Sequence, residues 1–111
     1  MADAAVKTGR GLAVGLAAAA CAAITLAAAG ATRTVTIEGM QFSPAMLVVK
    51  PGDEVAWVNK DLVPHTATAP KVFDSGPVPP GKSWLTKAPG PGRYEYVCTL
   101  HPTMKAVLVV E

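Results

Sequence analysis

Three residues with metal-binding side chains follow one another at intervals of three near the end of the chain. Cys98, His101 and Met104 lie in the stretch CTLHPTM, directly before an apolar run. A turning segment that carries a thiolate, an imidazole and a thioether at this spacing can wrap all three around one ion. His65, in the stretch DLVPHTATAP, is the other histidine of the chain. These four side chains form the candidate metal site.

The donor types favour copper. Two histidines and one cysteine in a plane, with a weak axial methionine, are the ligand set of blue-copper electron-transfer sites. Thiolate and thioether ligands favour Cu(I), whereas imidazole accepts both oxidation states, so one set of ligands can hold either form. We therefore predict one copper ion with four protein ligands: His65, Cys98, His101 and Met104.

Two other uses of the same residues are open on the sequence. Zinc accepts two histidines and a cysteine, although methionine is a poor zinc ligand. Cys98 could also be a nucleophile with a neighbouring histidine as its base. That arrangement gives Met104 no role, and nothing in the sequence indicates an oxyanion hole or a substrate pocket. We therefore expect a metal-binding protein that is not an enzyme.

The first 31 residues have the layout of a Sec-type secretory signal peptide. Lys7 and Arg10 precede an uncharged, alanine-rich run over residues 11–31, and the small residues near its end offer a cleavage site. We predict a signal peptide over residues 1–31 and an exported, periplasmic domain over residues 32–111. An uncleaved membrane anchor is the alternative, because the uncharged run is long enough to span a bilayer of about 30 Å.

The predicted domain is close to electrical neutrality and has a single thiol. Residues 32–111 carry eight Lys/Arg against seven Asp/Glu, which excludes a strongly basic surface for nucleic acid. Cys98 is the only cysteine in this range. No disulfide within the domain can therefore stabilise the fold, and the lone thiol in an exported protein needs a role of its own.

Short apolar runs separated by turn residues predict an all-β fold. All ten prolines and six of the ten glycines lie in residues 32–111, between runs that alternate with a period of two. We predict one domain, an antiparallel Greek-key β-sandwich or barrel, with the final strand beginning near Lys105. Tyr94, Tyr96 and Cys98 should share one face of their strand. The predicted strands are RTVTIEG, MLVVK, EVAWVN, a short Thr/Ala strand, SWLTKA, RYEYVC and KAVLVVE.

These features together resemble the cupredoxin family of type 1 blue copper proteins. The resemblance rests on C-x2-H-x2-M before a terminal strand, on the upstream VPH and on the stretch GMQFSPAMLVVKPGDEVAWVN. Within the family the chain is most similar to the amicyanin and plastocyanin types, since its ligand loop has the short amicyanin form C-T-x-H-P-x-M. The resemblance implies a cupredoxin fold and the same copper ligands, namely His65, Cys98, His101 and Met104.

The resemblance also implies how electrons reach partner proteins. In cupredoxins the edge of the second histidine ligand, here His101, meets the surface in an apolar patch. Leu62, Pro64 and Pro102 are the candidates for that patch. Similarity to amicyanin implies an amine dehydrogenase and a c-type cytochrome as redox partners. We expect the protein to be a monomer. Membrane contact is expected only if the leader is retained.

One residue departs from the family pattern. Family members usually have asparagine directly after the first histidine ligand, where it joins the two ligand-bearing loops, and this chain has Thr66. A threonine hydroxyl can still bond across to the second loop, and the Thr66 N–H can still reach the sulfur of Cys98. The surroundings of the thiolate are therefore expected to differ from those of relatives.

The predicted function is electron transport by a protein that cycles Cu(II) and Cu(I) between redox partners through small, transient interfaces. The alternative is a periplasmic copper carrier or storage module that binds Cu(I) and hands it on. A carrier would release copper readily to a chelator, whereas a shuttle would hold the metal and exchange electrons quickly.

Overall fold

The computed structural model describes residues 30–111, which fold entirely into β-strands and their connections. Among these residues there is no α-helix and no helix that could cross a membrane. The all-β prediction is confirmed for this part of the chain. The predicted signal peptide lies outside the described residues except for Gly30 and Ala31. The nine strands are β1 (Thr32–Glu38), β2 (Gln41–Ser43), β3 (Met46–Val49), β4 (Glu54–Asn59), β5 (Thr68–Ala69), β6 (Phe73–Asp74), β7 (Ser83–Lys87), β8 (Gly92–Cys98) and β9 (His101–Val110).

The strands form two sheets that enclose one core. One sheet has the order β2-β1-β4-β7, and the other has the order β3-β9-β8-β5-β6. Both sheets are mixed, because β1 pairs with β4 in parallel and β3 pairs with β9 in parallel. The predicted β-sandwich is confirmed, with the difference that these two strand pairs are parallel and not antiparallel. Alternation in the sequence shows which side chains face the core, but it does not show the direction of the neighbouring strand.

Trp57 lies fully buried at the centre of an aromatic cluster. Its ring centroid is 5.3 Å from Phe73, 5.4 Å from Trp84 and 5.6 Å from Tyr96. Burial raises the pKa of Tyr96 to about 12, so its phenol keeps its proton at neutral pH. Tyr96 and Cys98 are buried on the same face of β8, as predicted. The cluster therefore forms a closely packed part of the core next to Cys98.

Asp53 fixes the point at which the chain passes from one sheet to the other. Its carboxylate accepts the N–H of Lys50 at 2.9 Å and the N–H of Ala31 at 2.9 Å, and Arg33 Nε lies 3.7 Å away. These interactions, the bond from Lys50 first, hold the pKa of Asp53 below its ordinary value. The carboxylate thus joins the turn before β4 to the residue preceding β1.

Replacing Asp53 with asparagine should make the protein less stable at neutral pH and less sensitive to acid. A carboxyl group whose pKa is lowered by folding stabilises the native state above its unfolded pKa of about 3.9, and this stabilisation is lost as the pH falls through the lower, folded value. Urea unfolding midpoints at pH 7 and pH 3 measure the effect. We expect a smaller difference between the two midpoints in Asp53→Asn than in the wild type. Equal differences would contradict this role.

Candidate metal centre

The structure brings the side chains of His65, Cys98 and His101 together. The sulfur of Cys98 lies 3.7 Å from Nδ1 of His65 and 3.7 Å from Nδ1 of His101. The two imidazole rings have centroids 5.0 Å apart, and the donor atoms of all three residues lie within 4.8 Å of one another. His65 and Cys98 are fully buried, whereas His101 is partly exposed. The sequence prediction that these residues meet is confirmed.

These distances suit one metal ion held between the three donors. Typical bonds are about 2.0 Å to an imidazole nitrogen and about 2.3 Å to a thiolate, so an angle of about 120° between them separates nitrogen from sulfur by about 3.7 Å. That separation is found on both sides of the Cys98 sulfur. One thiolate and two imidazoles, with a methionine on the same strand as the second imidazole, form a donor set that suits copper.

A shift in the pairing of β8 and β9 creates the ligand spacing. Val97 pairs with Lys105, but the next residue, Cys98, pairs with His101, so residues 102–104 have no partner on β8. The extra residues form a bulge, a feature often found where a strand aims side chains at a functional site. β9 consequently begins at His101 and not near Lys105 as predicted, because the sequence pattern did not reveal that pairing continues across the bulge.

Met104 ends the bulge and points inward. Its side chain is 4% exposed, and it begins the row of buried residues on β9 that continues with Ala106 and Leu108. Pro102, also in the bulge, has no N–H and therefore loses no hydrogen bond where the ladder is interrupted. The interval of three between His101 and Met104 thus corresponds to the unpaired segment, residues 102–104.

The loop that carries His65 is held by two buried groups. His65 exchanges backbone hydrogen bonds with Val78, at 3.2 Å and 2.7 Å. The amide of Asn59, which is fully buried, donates to the carbonyl oxygens of Val63 and Val78 at 2.9 Å each and accepts the N–H of Asp61 at 2.9 Å. These hydrogen bonds therefore fix the shape of the loop.

Asp61 determines which nitrogen of His65 faces the site. Its Oδ2 lies 2.8 Å from Nε2 of His65, so Nε2–H donates to the carboxylate and Nδ1 presents its lone pair toward Cys98. The same carboxylate accepts the N–H of Gly39 at 2.7 Å and that of Met40 at 3.0 Å. The bonds from Met40, Gly39 and His65 hold the pKa of Asp61 below its ordinary value, against the opposing effect of burial.

Thr66 connects the two ligand-bearing segments, as expected from its hydroxyl and its backbone N–H. The Thr66 N–H donates to the sulfur of Cys98 at 3.3 Å. Its hydroxyl oxygen accepts the N–H of Thr99 at 2.8 Å and lies 3.1 Å from the Thr99 hydroxyl. The sulfur of Cys98 therefore has a hydrogen-bond donor, and the residues that follow His65 and Cys98, namely Thr66 and Thr99, are hydrogen-bonded to each other.

Apolar side chains are exposed beside the metal centre. Leu62, which is 93% exposed, and Pro64 precede His65, while Pro102 follows His101, so all three predicted patch residues are at the surface. Two more were not predicted, namely Val63 at 40% and Leu100 at 49% exposure. A partly exposed imidazole with apolar neighbours suits brief contact with another protein.

Asn59 and Asp61 are supporting residues that were not predicted from the sequence. A signal was present for Asp61, because a carboxylate is a common hydrogen-bond partner of a metal-binding histidine and Asp61 lies four residues before His65. Asn59 gave a weaker signal, since a polar residue at the end of an apolar strand is most simply a surface residue. Its hydrogen bond to Val78 joins residues 19 positions apart in the sequence. A contact of this kind becomes visible only in the folded structure.

Comparisons with known proteins agree with this geometry. A family profile described as the Cupredoxin-like domain matches residues 11–110. Amicyanin-alpha of Methylorubrum extorquens is 36% identical over 106 residues, which cover 86% of this chain and 85% of that protein. A Cu(I) structure of an amicyanin variant superposes with a TM-score of 0.67 and 28% identity, covering 72% of this chain and 82% of that one.

A copper-containing nitrite reductase from Thermus scotoductus also superposes, with a TM-score of 0.68 and 28% identity. The match covers 72% of this chain but only 22% of the reductase. This likeness therefore concerns a small part of a much longer protein.

Replacing Asn59 with alanine should destabilise the His65 loop. The change removes three hydrogen bonds, one of them fully buried, which should lower the free energy of unfolding by about 1–3 kcal/mol. Urea unfolding of the metal-free protein measures this. Gln41→Ala, which truncates an exposed amide on β2, is the control and should change the stability little. A loss no larger in Asn59→Ala than in Gln41→Ala would contradict the bracing role.

Proposed function

The chain belongs to the cupredoxin family, and from this premise we propose that it carries single electrons between larger redox proteins. The family and the donor set make it a blue copper electron-transfer protein with one type 1 copper ion. When bound, copper supplies a one-electron couple between Cu(II) and Cu(I). The observation that carries the proposal is the buried sulfur of Cys98 with a histidine nitrogen 3.7 Å away on each side.

In this proposal the ligands are His65, Cys98, His101 and Met104. His65 binds through Nδ1, because Asp61 occupies its Nε2. Cys98 binds as a thiolate that receives the N–H of Thr66. His101 binds through the nitrogen that faces the sulfur and leaves its other edge toward solvent. Met104 supplies the weak axial thioether.

The supporting hydrogen bonds favour a site that changes little during electron transfer. The loop containing His65 is tied to Asn59, Asp61 and Val78, and Cys98 is tied to Thr66. Ligands that stay in place for both oxidation states reduce the rearrangement that accompanies each transfer. Such a site is suited to a shuttle, whereas a carrier that must release copper gains nothing from these constraints.

The exposed apolar residues around His101 are the proposed docking surface for redox partners. Leu62, Pro64, Leu100 and Pro102 are exposed on the two segments that carry the histidines. A small apolar surface permits short-lived encounters, which electron exchange requires. For donor and acceptor we propose an amine dehydrogenase and a c-type cytochrome, the partners implied by similarity to amicyanin. We further propose that the chain acts as a monomer and not as an enzyme.

We also propose that residues 1–31 direct export and that residues 32–111 act in the periplasm. The charge layout and the alanine-rich run of residues 1–31 support this proposal. Recovery of the protein from a periplasmic extract, followed by measurement of its intact mass, tests it. A mass that includes residues 1–31, with the protein in the membrane fraction, would favour the anchor instead.

Substitution of two ligands tests the proposed chemistry. Cys98→Ser should abolish the intense visible band, because that band needs a thiolate bound to Cu(II). Met104→Gln should keep one copper per chain and the colour, but change the reduction potential, since the axial ligand tunes it. Absorption spectra and equilibrium redox titrations measure both outcomes. A Cys98→Ser protein that retains the band would disprove the assignment.

Electron self-exchange between two copies tests the docking surface without a known partner. Leu62→Lys places charge on the proposed surface and should lower the self-exchange rate constant at least tenfold, because like charges oppose the encounter. Leu85→Lys is the matched control, since Leu85 is 53% exposed but lies on β7. NMR line broadening in mixtures of reduced and oxidised protein gives the rate. An equal loss in both variants would place the exchange surface elsewhere.

A further inference from the structure

A chain of hydroxyl groups extends from the metal centre to a carboxylate. The hydroxyl oxygen of Thr66 lies 3.1 Å from that of Thr99 and 3.0 Å from that of Thr68. The Thr68 hydroxyl lies 3.0 Å from Oδ1 of Asp74, and this Oδ1 also accepts the N–H of Gly76 at 2.9 Å. Thr66 and Thr68 are buried, whereas Thr99 and Asp74 lie toward the surface at the two ends.

The Thr68 hydroxyl links the carboxylate to Thr66. A carboxylate has no proton to donate, and the single hydroxyl proton of Thr68 is within reach of both Oδ1 of Asp74 and the oxygen of Thr66, at 3.0 Å each. The oxygen of Thr66 accepts from Thr68 and accepts the N–H of Thr99 at 2.8 Å. The Thr66 proton is then available to the Thr99 hydroxyl, 3.1 Å away. Each bond in such a chain polarises the next and strengthens it.

We propose that Thr66, Thr68 and Asp74 are positioning residues that hold the thiolate of Cys98 in place and tune its electron density. Thr66 would join the two loops, and Thr68, held by Asp74, would donate to the Thr66 oxygen and so fix its orientation. This proposal rests on the proposed function in one respect, namely that copper affinity and the reduction potential are used to measure the effect. The hydrogen-bonded chain itself can be measured without metal.

The effect on sulfur follows from the place of Thr66 in this network. The side chain of Thr66 is fixed by its hydroxyl partners, and its backbone N–H is thereby held 3.3 Å from the sulfur. If the hydroxyl is removed, the Thr99 N–H loses its partner and the two loops can separate. If the charge of Asp74 is removed, a negative group that favours Cu(II) over Cu(I) is lost, so the reduction potential should rise.

The first experiment compares Thr66→Val, which has nearly the same shape but no hydroxyl, with Thr66→Ser, which keeps the hydroxyl. In the metal-free proteins, hydrogen exchange of the Thr99 amide should be much faster in Thr66→Val and close to wild type in Thr66→Ser. With Cu(II) added, Thr66→Val should bind about 10- to 100-fold more weakly, the usual range for loss of a group that supports a metal ligand. Thr66→Ser should restore affinity and the position of the visible band.

Two further variants keep the proposal testable if Thr66→Val folds poorly. Thr68→Val interrupts the chain and leaves Thr66 unchanged, and Asp74→Asn removes only the charge at its end. Both should move the reduction potential, upward in Asp74→Asn. Thr86→Val, a partly buried threonine on β7 in the other sheet, is the control and should leave the potential unchanged.

The outcomes separate this inference from the proposed function. Faster Thr99 exchange in the metal-free Thr66→Val protein, together with shifted potentials in Thr68→Val and Asp74→Asn, supports the positioning role. Exchange and potentials equal to those of the wild type and of Thr86→Val overturn it, even if the wild type is a blue electron carrier. If the wild type binds no copper, the proposed function fails, and the exchange measurement alone decides whether Thr66 joins the two loops.

Discussion

The burial of one thiol beside two imidazole nitrogens is the constraint on which the rest of the structure depends. Cys98 is fully buried, and its sulfur lies 3.7 Å from a nitrogen on each side. The lone pairs of three donors this close repel one another unless a cation or protons lie between them. The fold must therefore hold them together, and it does so by a pairing shift between β8 and β9 and by a braced loop around His65.

Two of the donor side chains, those of His65 and Cys98, have a hydrogen-bond partner that fixes their direction. Asp61 directs the ring of His65, and Thr66 directs both its N–H to the sulfur and its oxygen to Thr99. Asn59 in turn holds the loop between them. This network supports a site prepared for one ion in two oxidation states, while the partly exposed His101 among apolar neighbours supports electron exchange at the surface.

The sequence allowed the candidate donor set and most of the strands to be predicted, because both depend on local patterns. The spacing of Cys98, His101 and Met104 pointed to one ion, and period-two alternation located the strands. The parallel pairing of β1 with β4 and the unpaired residues 102–104 were not predictable, since they depend on how distant strands align. The same holds for Asn59 and for the contact between Thr68 and Asp74, whose roles appear only when separate loops meet.

The most direct test of the central claim is a Cu(II) titration of the metal-free protein, followed by visible absorption and EPR and then by addition of a reductant. We predict an intense blue band that saturates at one copper per chain, disappears on reduction and returns on reoxidation without loss of metal. A colourless protein, or one that binds only Cu(I) or Zn(II), would contradict the assignment of a thiolate-bound redox centre.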